Sequence, residues 1–154
     1  MNSKERLGTA VRHFRGNFNC AQSVFSAYAQ DLGIEETDAR RIASGFGGGM
    51  AALQKTCGAV TGGIMVIGAR YYSESDIAGS KMLVYRQVRR LVVRFEARHG
   101  TAECFPLLGM DITAEEGLQK ARELGLFQLK CEQYVLDACG ILEELFSDTG
   151  GTAK

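Results

Sequence analysis

Proline is nearly absent from this 154-residue sequence, with Pro106 alone. Clear strand signals are missing too: there is no sustained alternation of apolar and polar residues and no hairpin dipeptide between β-branched runs. Both absences point away from a sheet protein. Eighteen basic and eighteen acidic residues leave no formal charge, so the basic excess of a general nucleic-acid binder is lacking. No apolar run nears the roughly 20 residues of a membrane span; the best, GGIMVIGA, is far too short. The opening residues, MNSKERLGTAVRHF, lack the apolar stretch of a secretory leader. The expectation is a cytoplasmic protein with neither nucleic acid nor membrane as partner. No CxxC, HExxH, DxDxDG or GxSxG occurs, which removes the local zinc-knuckle, thioredoxin-type and common hydrolase signatures.

Helix signals fill the space these absences leave. Residues 3–15 place Leu7, Val11 and Phe14 on one face, with Gly16 as a stop. Asn19 and Gln22 stand as a capping box for a second helix, whose stripe is Val24, Phe25, Tyr28 and Leu32 and whose stop is Gly33. A short helix is expected over about 37–44. SGFGGGM must then be a loop, because each glycine costs a helix about 1 kcal/mol relative to alanine. No GK[ST] follows it, so tight passage against the core is favoured over a phosphate loop. A turn of helix is expected from Met50 to Leu53. Thr56 then caps CGAVTGGIMVIGARYY, which is apolar on nearly every side and so reads as a buried, Gly-rich central helix. A long helix spans about 75–99, with Leu83, Val84, Val88, Leu91, Val92 and Phe95 inward and Arg86, Arg89, Arg90, Arg94 and Arg98 elsewhere. That basic stripe reads as a solvated face before it reads as a surface for an acidic partner. Thr101 is expected to cap a short helix holding Cys104, and Thr113 with Glu116 another ending at Gly125. A last helix covers about 130–146. The fold class is all-α: a single-domain bundle of about six or seven helices over 1–147, followed by a flexible tail, 148–154. The glycine-rich helix and the arginine-rich helix could each support a homodimer.

Five cysteines remain, Cys20, Cys57, Cys104, Cys131 and Cys139. In a reducing cytosol such thiols are inert packing or chemistry, not structural disulfides. Four of them fall at expected helix starts, where free N–H groups and the helix dipole favour an anion. A thiol there is pushed toward thiolate, the nucleophile and the metal ligand. Lys55 and Lys130 stand beside two of them. On position alone, Cys20 and Cys57 are the most activated pair. Cys139 is mid-helix, beside Val135 and Leu142, and reads as core. His13 and His99 have no partner in local sequence that would make either catalytic, and His99 suits a helix C-terminus.

FNCAQSVFSAYAQDLG, ASGFGGGM, TCGAVTGGIMVIG, ECFPLLGMDI and GLFQLKCEQYVLDACGILEEL follow one another in an order that resembles the C-GCAxxG-C-C family of redox-active proteins. The resemblance covers residues 7–145. It implies a redox role for Cys20, Cys57, Cys104 and Cys131, and it gives Cys139 no counterpart. Thr56 stands where the motif has its leading glycine, and Gly58 separates the cysteine from the alanine.

Three functions are compatible. The favoured one is a reversible thiol–disulfide couple among the four cysteines, which needs no cofactor and works with a redox partner protein. The second is an electron carrier whose four thiolates ligate a [2Fe–2S] cluster or, less readily, zinc. The third is a non-catalytic helical interaction module in which the thiols merely pack.

Overall fold

A computed structural model describes residues 1–149. Among them it contains eight α-helices and no strand, so the protein is all-α, with slightly more helices than expected. In order they are α1 (Ser3–Arg15), α2 (Cys20–Tyr28), α3 (Glu36–Ala43), α4 (Gly58–Tyr71), α5 (Ile77–His99), α6 (Cys104–Leu108), α7 (Glu115–Glu123) and α8 (Glu132–Asp148). Ser147 and Asp148 continue the last helix, and residues 150–154 of the expected tail lie outside the described residues.

Two hydrophobic clusters hold these helices. The larger joins α1, α2, α4, α5 and α8. Val24, Val60, Leu91, Phe95, Val135, Leu142 and Leu145 are all fully buried in it. α2 lies directly on α4 because Gly62 removes the atom between them: a Cβ there would sit 2.8 Å from the Ala21 carbonyl oxygen. Three arginines of the α5 stripe find acidic partners within the chain. Arg90 and Arg94 reach Asp148 at 2.7 and 2.6 Å, and Arg98 pairs with Glu144 on α8. The smaller cluster is built on Leu108, Ile112 and Ala121, with Ala52, Leu118 and Phe127 packed beside them. Cys131 touches both clusters. No described helix is long and apolar enough to cross a membrane.

Several helix starts differ from the sequence reading, and each difference has a local cause. Thr56 does not cap α4. Its segment pairs with Glu103 in an isolated antiparallel bridge, flanked by Cys57 N–H to Ala102 O and Cys104 N–H to Lys55 O, both at 2.7 Å. That pairing leaves Cys57 as the N-cap. Thr101 accepts from the Glu103 amide, and Glu103 caps α6. Thr113 is held by the Asp111 carboxylate, and Ala114 caps α7, so the expected Thr113–Glu116 box does not form. The Asn19–Gln22 box of α2 does form, at 2.9 and 3.0 Å. α2 ends at Tyr28, and a 3-10 turn carries the chain to Leu32.

The turn expected after the glycine loop is wound the other way. Gly48, Gly49, Met50, Ala51 and Ala52 all have positive φ, between 49° and 70°. For the three non-glycine residues this costs on the order of 1 kcal/mol each. Gln54 holds the loop in place. Its side chain donates to Met110 O at 2.8 Å and accepts from Ile112 N–H at 2.9 Å, which ties the loop to the smaller cluster.

Candidate functional site

A cleft of about 650 Å³ opens between the two clusters. Cys20, Cys57, Cys104 and Cys131 all line it. Each arrives from a different direction. The Asn19 cap fixes Cys20 as the first residue of α2. The bridge brings the Cys57 and Cys104 segments together. Cys131 ends a π-helical turn, Phe127–Cys131, that runs straight into α8. It therefore lies inside a continuous helical run and not at a free helix start. The wider π turn rotates the side chains that follow it relative to a regular helix, and such turns recur at functional sites. Cys139 is fully buried inside the bundle, as the sequence suggested.

Close backbone approach is what lets the thiols gather. A Cβ on Gly58 would lie 3.1 Å from the Cys20 Cβ, and one on Gly49 would lie 2.8 Å from the Cys104 Cβ. Tight passage of the glycine loop is thus confirmed, and it runs against a cysteine.

The thiols are not electrostatically equal. Cys20 and Cys131 share a side-chain hydrogen bond. That bond holds Cys131 below the ordinary thiol value; burial opposes the shift and the Lys130 ammonium assists it. Cys20 is the donor. The same bond, then burial, then the negative charge of its neighbours push it well above the ordinary value. Cys57 is pushed up to about 12 by burial, although the Ala59 and Val60 amides at the start of α4 pull it down. Cys104 is raised to about 11 by burial, against a hydrogen bond from Gln54 that favours its thiolate. Burial outweighs the helix amides at Cys57, and at Cys20 the bond to Cys131 and burial both oppose ionisation. Of the four, Cys131 alone is held below the ordinary value, and it is the one that follows a lysine in sequence.

Gln54, Arg122 and Glu132 also belong to the site. The carboxylate of Glu132 takes the Arg15 guanidinium in two bonds of 2.8 and 2.9 Å beside the cleft. Sequence offered no signal for these residues beyond a polar glutamine close to a glycine loop. His13 lies elsewhere, held by Ser26 at 2.8 Å and Glu36 at 2.9 Å, and burial lowers its pKa. His99 sits at the end of α5 against Asp137, 2.9 Å away, with Phe95 and Tyr134 around its ring.

Four thiolates are the donors a cluster or zinc would require. Among the described residues, however, no three His, Cys, Asp or Glu side chains are arranged to hold a metal ion. The donor chemistry fits such a group and the arrangement does not.

Fold and cleft together define an all-α protein with four cysteines from four segments lining one half-open cavity. The chain belongs to the family described as "Putative redox-active protein (C_GCAxxG_C_C)", which matches residues 18–145 and so takes in every lining cysteine. Comparison with curated proteins and with solved structures finds no match.

Proposed function

We propose that this protein is a thiol–disulfide redox protein in which Cys131 attacks and Cys20 resolves. The observation that carries the reading is the Cys20–Cys131 hydrogen bond within a cleft lined by four free thiols. The Cys131 thiolate attacks one sulfur of a disulfide R–S–S–R′. A Cys131–S–S–R bond forms and R′–S⁻ leaves, taking up a proton from solvent. Cys20 gives up its proton and attacks the Cys131 sulfur. The Cys20–Cys131 disulfide forms and R–S⁻ leaves. The substrate gains two electrons and the protein loses two. Cys57 and Cys104 line the same cleft, while Cys139, buried within the bundle, takes no part.

The test uses the pre-reduced full chain and a model disulfide. Cys131→Ser abolishes reduction. Cys20→Ser still forms the mixed disulfide with Cys131 but stalls there, and mass spectrometry detects the adduct. Peptide mapping after one equivalent of oxidant shows Cys20 linked to Cys131. Iron or zinc bound stoichiometrically in purified protein, and lost on removing these cysteines, overturns the couple in favour of the metal carrier. Thiols that all react no faster than a free model thiol at neutral pH favour the interaction module.

A further inference from the structure

The walls of the cleft describe what would reach those thiols. Its volume, about 650 Å³, falls within the range that takes small organic molecules. Phe14, Phe18, Leu107, Leu118 and Phe127 give it apolar sides. Two guanidinium groups line it, and they differ. Arg15 is neutralised by its two bonds to Glu132. Arg122 also lines the cleft, and no carboxylate among the described residues pairs with it. The uncompensated charge of the lining is therefore a single, exposed cation near the end of α7, in the same cleft as the four thiols. A small apolar molecule that carries both a disulfide and an anionic group matches that lining. A peptide-like disulfide with several charged and amide groups would have to strip water from them against phenylalanine and leucine, which is unfavourable without replacement hydrogen bonds.

From this lining we infer that the cleft takes a small aliphatic disulfide ending in a carboxylate, and that Arg122 is the residue selecting that carboxylate. This rests on the thiol–disulfide reading above. The bound carboxylate accepts from the Arg122 guanidinium, the chain lies along the apolar wall, and the disulfide end faces Cys131. One turnover opens the substrate's S–S bond to two thiols and closes Cys20 to Cys131.

Single turnovers of the pre-reduced chain with lipoic acid, lipoamide and oxidised glutathione test this. Lipoic acid is expected to react fastest and oxidised glutathione slowest. Arg122→Gln lowers the rate constant with lipoic acid about tenfold, the loss of one charge-assisted hydrogen bond. It also brings the ratio of acid to amide close to one, and Arg122→Lys restores part of the preference. Octanoate, which has no sulfur, supplies a binding readout free of redox chemistry: calorimetry shows it binding the wild type and weakening in Arg122→Gln. A ratio of acid to amide that Arg122→Gln leaves unchanged, or octanoate that does not bind, overturns the carboxylate selection while the couple stands. Octanoate binding without Cys131-dependent reduction of any disulfide overturns the couple, and this inference with it.

Discussion

The bundle and the cluster over the thiols are held by different means. In the bundle, long apolar stripes meet over many turns, and Leu91, Phe95, Ile141, Leu142 and Leu145 have no exposed surface at all. The smaller region rests on three buried side chains, a five-residue helix, and a loop wound left-handed and pinned by Gln54. The first region is stabilised by buried area; the second depends on a few polar clamps and glycine clearances. The four cleft thiols lie at the seam. One wall of the site is thus rigid, and the other is the part with the least buried surface, the kind of region that opens first.

The sharpest test of that contrast deletes packing on each side. Leu142→Ala, in the centre of the bundle, is expected to cost about 2–5 kcal/mol and to lower the urea midpoint of the whole chain. Leu108→Ala removes a comparable side chain from the smaller cluster and is expected to act locally. Alkylation of Cys104 speeds up several-fold, while the global midpoint moves less than for Leu142→Ala. If Leu108→Ala lowers the midpoint as far as Leu142→Ala does, the two regions are one cooperative unit and the contrast fails.

A smaller effect comes from pH. Burial raises Cys57 and Cys139 to about 12, and Cys20 is raised as well. In the unfolded chain these thiols titrate near about 8.5. The folded state binds more protons in that window, so the stability they contribute is complete below about pH 8.5 and is lost as pH rises toward their folded values. Urea unfolding under reducing conditions is expected to show a lower midpoint at pH 10 than at pH 7.5, and Cys139→Ala to shrink the difference. A midpoint equal at both pH values breaks this account. The least change is expected from Arg94→Ala. It removes ion pairs to Asp148 and Glu144 on an open face and costs under about 1 kcal/mol; a larger fall in the thermal midpoint would mean that the α5–α8 ion pairs act as a network.

Sequence reading reached the bundle and half of the site. The stripes of α1, α5 and α8 were legible because apolar residues recur with the period of a helix, and the buried Gly62 was legible because small residues four apart mark close helix contact. The caps of α4, α6 and α7 were not. Thr56, Thr101 and Thr113 are good capping residues by type, but Thr56 is claimed by a bridge to Glu103 that only the folded chain brings near, and Thr101 and Thr113 are taken up in turns with residues two positions away. The left-handed turn escaped for a similar reason: Met50, Ala51 and Ala52 carry no local preference for it, and Gln54 imposes it from the far side of a contact with Met110 and Ile112. Gathering of the four cysteines was suggested by their expected places at helix starts and by the family resemblance of the segments that carry them. Which of them is held below the ordinary thiol value was not, because that depends on who sits beside Cys131, and a π-helical turn sets that position.

Cys139 turns this architecture into its own clock. It lies sealed in α8, a turn from the equally buried Val135 and Leu142, while its four relatives line an open cavity. Any reagent that modifies sulfur therefore counts two different events in one molecule: breathing of the thiol cleft, read at the four, and rupture of the entire bundle, read at the fifth.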